Sequence, residues 1–268
     1  MENAKEILNW YILSGITDIC SDEPFRVSLA EKSTISEPKN DTVSAIKAVD
    51  ENGLTKRPAM TLLAQEGQAA CLNAVELCQK AQTLDDLKAL MEDFSGCSLK
   101  FSANSTVFGY GNPQAELMII GEAPGADEDR MGEPFVGRSG KLLSKMLAAI
   151  GIEREDCYIT NVLPWRPPGN RTPTDGEVAV CLPFLKRQIE LVGPKIILLL
   201  GGSAANTLLN CSDSVSSLRG KFVDYTTENG TIIPTLTSYH PAFLLRSAAQ
   251  KAKAWSDFLR LQRKLEDI

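Results

Sequence analysis

Four short strand-like segments, each ending in a turn, restrict this chain to very few folds. The first, at 116–121, holds Leu117, Met118, Ile119 and Ile120; the others span 157–163, 195–200 and 231–238. The first and third are apolar without alternation and read as strands buried on both faces. Helical patterns follow at about 139–150 and 175–191, the second opened by a capping box of Thr174 and Glu177. Gly201-Gly202-Ser203 opens a short helix, and the residues after Pro241 are helical. Such alternation predicts an α/β fold of three layers, α/β/α, around a central, mainly parallel four-stranded sheet. The carboxyl ends of strands in sheets of this kind converge on a crevice where ligands bind.

Ahead of this core the pattern changes. Residues 2–13 read as a helix with Ile7, Leu8, Trp10 and Tyr11 on its apolar surface, and from Ser21 to Arg57 the composition turns polar and loses periodicity. A helical pattern returns at about 59–80, and Thr83 to Asp86 reads as a capping box opening a helix through Phe94. The expected organisation is an N-terminal helix at 1–20, a linker at 21–57, a helical extension at 58–85 and one domain at 86–268.

Composition excludes some classes. No apolar run approaches a membrane span and the N-terminus lacks a secretory pattern, so the chain reads as cytoplasmic. Seven scattered cysteines suit a reducing compartment, with buried thiols and no disulfides. The net charge of −6 is uneven, because residues 1–100 carry 10 basic and 16 acidic side chains and leave 18 of each for the remainder. A local contact with a polyanion is therefore compatible with the overall acidity.

The strand ends carry the chemistry-bearing residues. After the first strand, Gly121-Glu122-Ala123-Pro124-Gly125 leads into Asp127, Glu128, Asp129 and Glu133, then Phe135. After the second come Asn161 and the stretch Arg166 to Arg171; after the last, Ser238-Tyr239-His240-Pro241 and on to Arg246. His240 is the only histidine. A lone histidine is more often structural, but one that follows a strand and precedes a Pro-started helix stands where a site is expected.

GEAPGADED, PFVGRSGKLL, TNVLPWRPPGNR and HPAFLLR, in this order and spacing, resemble family 4 of the uracil-DNA glycosylase superfamily, over about residues 90 to 265. The resemblance implies a monofunctional glycosylase that hydrolyses the N-glycosidic bond of deoxyuridine in DNA, releases uracil and leaves an abasic site for base-excision repair. DNA containing uracil, and the abasic product, are the partners it implies; a monomer is the default. By resemblance, His240 donates a hydrogen bond to the departing uracil, Glu122 and Glu128 are the carboxylate candidates, and Asn161 reads the uracil edge. Phe135 matches the aromatic that stacks on the flipped base, with Gly121 and Ala123 beside the pocket. Leu244, Leu245 and Arg246 are candidates for the wedge that fills the vacated duplex. Gly169, Asn170, Arg171, Gly202 and Ser203 are candidates for phosphate contacts. The chemistry suits these residue types, since positive charge grows on the sugar and negative charge on the leaving base.

Two departures from the family pattern matter. Members with an iron-sulfur cluster carry four cysteines where this chain has Phe94, Cys97, Trp165 and Cys181. A cluster of this type takes four thiolates, so no cofactor and no metal are expected. In the best-known branch of the superfamily an aspartate follows the residue matching Glu122; here it is Ala123. The water-orienting role then passes to Glu128 or another carboxylate, or is dispensable. Loss of the cysteines also invites an alternative, a lesion- or abasic-site-binding protein without turnover. A nucleotide-binding fold lacks its glycine-rich or P-loop signature.

Overall fold

The computed structural model describes residues 65–268. The expected helix at 1–20, the linker at 21–57 and the start of the 58–85 extension lie outside the described residues. Helices α1 (Gln65–Lys80), α2 (Leu84–Asp93) and α3 (Leu99–Ser102) come first. Thr83 caps α2 in the expected capping box, its hydroxyl accepting from the Asp86 amide while the Asp86 carboxylate accepts from the Thr83 amide.

Then β1 (Tyr110–Gly111), β2 (Leu117–Gly121), α4 (Ala126–Met131), α5 (Arg138–Ala148), β3 (Tyr158–Asn161) and α6 (Asp175–Val192) follow in order. The chain continues through β4 (Ile196–Leu200), α7 (Gly202–Leu208), α8 (Val215–Leu218), β5 (Phe222–Thr226), β6 (Ile232–Ser238), α9 (Pro241–Arg246) and α10 (Lys251–Glu266).

The strands form one sheet in the order β1-β3-β2-β4-β6-β5. Its centre is the four strand-like segments of the sequence, β3, β2, β4 and β6, all parallel. The sheet is wider than four strands because antiparallel β1 and β5 close its edges. These two lacked a readable signal: β1 has two residues, and β5 is half exposed with Asp224 at its middle.

Every residue of β2, β3 and β4 is buried, as a sheet covered on both faces requires. Alternate side chains feed two cores. Met118, Ile120, Ile197 and Leu199 pack beneath α1, α2 and α6 on one face. Ile119, Leu198 and Leu200 pack with Leu143, Met146, Trp255 and Phe258 of α5 and α10 on the other. Each such side chain contributes roughly 1.5–3 kcal/mol when fully buried. From β2 the chain goes first to β3 on one side and then to β4 on the other, which makes the carboxyl end of β2 a topological switch point.

Candidate active site

Gly121 ends β2 opposite Asn161 at the end of β3. A side chain is excluded at Gly121, since a Cβ there would lie 2.4 Å from Asn161 Oδ1 and 2.7 Å from Phe135 Cζ. The glycine leaves room for both side chains at the floor of a cleft of 360 Å³. Phe135 is buried and adopts φ 55°, a left-handed conformation that costs a non-glycine residue about 1–3 kcal/mol. Its backbone passes so close to α5 that a Cβ on Gly140 would sit 1.7 Å from its carbonyl oxygen.

The five carboxylates of the loop have separate uses. Glu128 is buried and closes the loop, accepting hydrogen bonds from the amides of Gly125 (3.1 Å) and Gly137 (2.9 Å). Asp129 faces away and accepts from both the amide and the side chain of Asn104. Asp127 pairs with Arg130 at the surface, and Glu133 is exposed. Glu122 lines the cleft beside Ala123. Burial raises its pKa, and a hydrogen bond from Ser203 acts in the opposite sense. Ser203, placed by sequence among the phosphate contacts, lies close to Glu122 and outside the cleft lining.

His240 caps α9. Its Nδ1 accepts the Ala242 amide at 3.1 Å, which places the ring proton on Nε2. Burial, then the charge of Arg246, lower its pKa to about 4, so the ring is a neutral donor at physiological pH. Its centroid is 5.7 Å from that of Phe135. Sequence reasoning passed over Gly201, whose φ of 97° brings its backbone against His240; a Cβ there would lie 3.2 Å from that of His240. The signal available was a glycine closing a strand, which also described Gly121.

The outer rim gathers some of the expected DNA-side residues. Asn170, Arg171 and Arg246 line the cleft. Arg171 makes a two-pronged pair with Glu177, at 2.9 and 2.6 Å, and Asn170 accepts from Arg166 at 2.7 Å. Gly169 (φ 63°) and Asn170 (φ 55°) turn this loop outward. Gly202 lies at the start of α7, outside the cleft lining. The wedge reading changes at one residue: Leu244 is fully buried among Leu200, Leu236 and Phe258, so it cannot enter a duplex. Leu245 is 40% exposed, next to Arg246, in a groove that continues the cleft.

The four positions matching the family's cluster cysteines all lie within one buried core. Cys97 and Cys181 lie with their sulfurs 3.8 Å apart, and the Cys181 thiol donates to Cys97. Phe94 folds over Gly96 and meets Phe184 at 5.2 Å between ring centroids. Trp165 is buried with its indole N–H on Thr106 Oγ1 at 3.0 Å. Two rings fill the volume, so this donor set does not fit a cluster that takes four thiolates. Among the described residues, no group of three or more His, Cys, Asp or Glu gathers to hold a metal ion. Phe94→Ala is expected to cost about 3–5 kcal/mol, the usual range for emptying a buried aromatic site, read as a lowered midpoint of urea unfolding.

A family model described as the uracil DNA glycosylase superfamily matches residues 108–259. A type-4 uracil-DNA glycosylase of Archaeoglobus fulgidus is 43% identical over 185 residues, covering 67% of this chain and 92% of that protein. Another, of Thermotoga maritima, is 40% identical over 160 residues, covering 59% and 81%. A type-5 uracil-DNA glycosylase of Pyrobaculum aerophilum is 30% identical over 150 residues, covering 50% and 64%. Matched over more than half of its length by the family model, and in 43% of aligned positions to a type-4 member, the chain belongs to the uracil-DNA glycosylase superfamily.

Proposed function

We propose that the cleft hydrolyses the N-glycosidic bond of deoxyuridine in DNA, releasing uracil and leaving an abasic site. The observation that carries this reading is the meeting of Asn161, Phe135, Glu122 and His240 around one opening at the switch point of the sheet. The C1′–N1 bond breaks with its electron pair leaving on uracil, and water adds to C1′. His240 Nε2–H donates to the uracil oxygen on which negative charge grows, a stabilisation of the oxyanion-hole type. The Asn161 amide accepts from N3–H and donates to O4, a pattern that cytosine reverses. Phe135 stacks on the extruded base, which adds affinity without choosing it.

Glu122 favours the positive sugar and orients the water. Glu128 is the weaker candidate, because both its oxygens already accept backbone amides. Since burial raises the Glu122 pKa, the rate falls on the acid side as that carboxylate, rather than His240, takes a proton. Leu245 with Arg246 supplies the wedge, and Asn170 and Arg171 approach phosphate once Glu177 yields. Among the described residues no lysine lines the cleft as a Schiff-base nucleophile, so the reading is of a monofunctional enzyme that leaves the backbone intact.

The protein acts as a cytoplasmic monomer in base-excision repair and carries no iron-sulfur cluster. No helix among the described residues is long and apolar enough to cross a membrane. The non-catalytic alternative rested on the missing cysteines; the similarity to type-4 uracil-DNA glycosylases and the residues gathered in the cleft favour turnover over it.

A single-turnover assay on an oligonucleotide with one deoxyuridine, developed with alkali, tests the activity. The expected result is uracil release by the wild type and a loss on the order of 10²-fold in Asn161→Ala, where misplacement or loss of a positioning contact has that weight. No release, with tight retention of the oligonucleotide, would establish a binding protein instead.

A further inference from the structure

We infer that Arg154, outside the cleft, is the positioning residue that holds Phe135 for base stacking; this rests on the stacking role proposed for Phe135. Arg154 opens a single 3₁₀ turn between α5 and β3. Its guanidinium forks onto two successive carbonyls, with Nη1 donating to Phe135 O at 2.9 Å and Nη2 to Pro134 O at 2.5 Å. Its other face lies over the Tyr110 ring, 4.8 Å from the centroid, and the Tyr110 hydroxyl donates to Glu155 at 3.3 Å. The charge is thereby spent on backbone rather than on a carboxylate.

The reason lies in the conformation being held. Phe135 has positive φ, which a phenylalanine avoids unless its surroundings impose it. This twist sends the ring beneath Gly121 and beside His240. Gly140 bounds the Phe135 carbonyl from α5, and Arg154 ties it from the opposite element, so the twisted peptide is fixed from two sides. A planar fork with fixed donor spacing can hold two neighbouring carbonyls together, whereas the point charge of lysine cannot reproduce that geometry. Arg154 contributes no atom to the cleft lining, so it acts through Phe135 alone.

A double-mutant cycle on the full chain tests this, with single-turnover uracil release as the readout. Phe135→Ala is expected to be slower than the wild type, and Arg154→Ala slower by about tenfold, the low end of what losing one base-stacking contact does. In the Phe135→Ala background, Arg154→Ala should change the rate less than twofold. Arg154→Lys, which keeps the charge but has one donor nitrogen instead of the spaced pair, should recover only part of the loss; it also carries the comparison if the alanine variant fails to fold. A loss of the same size in both backgrounds, or full activity of Arg154→Lys, overturns the inference and leaves the glycosylase intact. Phe135→Ala as fast as the wild type would remove the stacking role itself, and the inference with it. Absence of uracil release by the wild type would instead reject the activity.

Discussion

His240→Ala is expected to lower single-turnover uracil release by about 10²–10³-fold, the effect of deleting one preorganised donor to a developing anion. Two features make this the largest single loss. The Ala242 amide occupies Nδ1, so the only ring donor is Nε2–H and no alternative tautomer competes. The same variant loses a helix cap, at about 1 kcal/mol of stability, too little to unfold a domain of this size. The pH dependence separates the two effects. Folding lowers the His240 pKa to about 4 from its ordinary 6.5, so above pH 6.5 the ring is neutral in both folded and unfolded chains. As the pH falls below 6.5 the unfolded chain takes up a proton that the folded one resists. Stability is therefore lost between pH 6.5 and 4, by about 3 kcal/mol in total. Urea unfolding at pH 7 and pH 4.5 should show a smaller acid-induced loss in His240→Ala than in the wild type. The wild-type rate should show no step near pH 6.5.

Gly121→Ala should reduce uracil release on the order of 10²-fold, because a displacement near 1 Å at a reacting site has that weight, while costing about 1–3 kcal/mol of stability, the usual range for overpacking. The added methyl would sit 2.4 Å from Asn161 Oδ1 and 2.7 Å from Phe135 Cζ, so both must move. Asn161 meets the methyl with a terminal amide, and Phe135, although it packs in the core beneath α5, meets it with the edge of its ring. The fold therefore survives and the pocket does not. An alanine variant with the wild-type rate would mean that Asn161 and Phe135 have more freedom than their packing implies.

The central strands β2 and β4 were readable because burial on both faces forces short continuous apolar sequence bounded by turn residues, whereas the apolar run at 178–185 continues a long helical pattern. β1 and β5 escaped because an edge strand is partly wet and needs no such run. The approximate positions of Glu122, Asn161 and His240 followed from lying just beyond strand ends. Their hydrogen bonds did not. Sequence placed Glu122 and Glu128 side by side as candidates, and only geometry shows that Glu128 is occupied by the amides of Gly125 and Gly137. Ser203 was a phosphate candidate by sequence, and its nearness to Glu122, whose pKa it lowers, had no sequence signal. Leu244 was more accessible to reasoning: in a short helix starting at Pro241, the residue three positions on shares its buried face, while Leu245 turns outward. Arg154 had no sequence signal, since an arginine in a turn is ordinarily solvated.

On the proposal that no cluster forms, ring packing at Phe94 and Trp165 alters what the cell must supply. A domain closed by a metal cluster matures only when iron, sulfide and their delivery machinery are at hand, and bound metal then forms part of its folding free energy. A domain closed by aromatic side chains is complete once translated. Uracil would then continue to be removed from the genome during iron starvation or oxidant exposure, when cluster-bearing repair proteins compete for a scarce and damageable component.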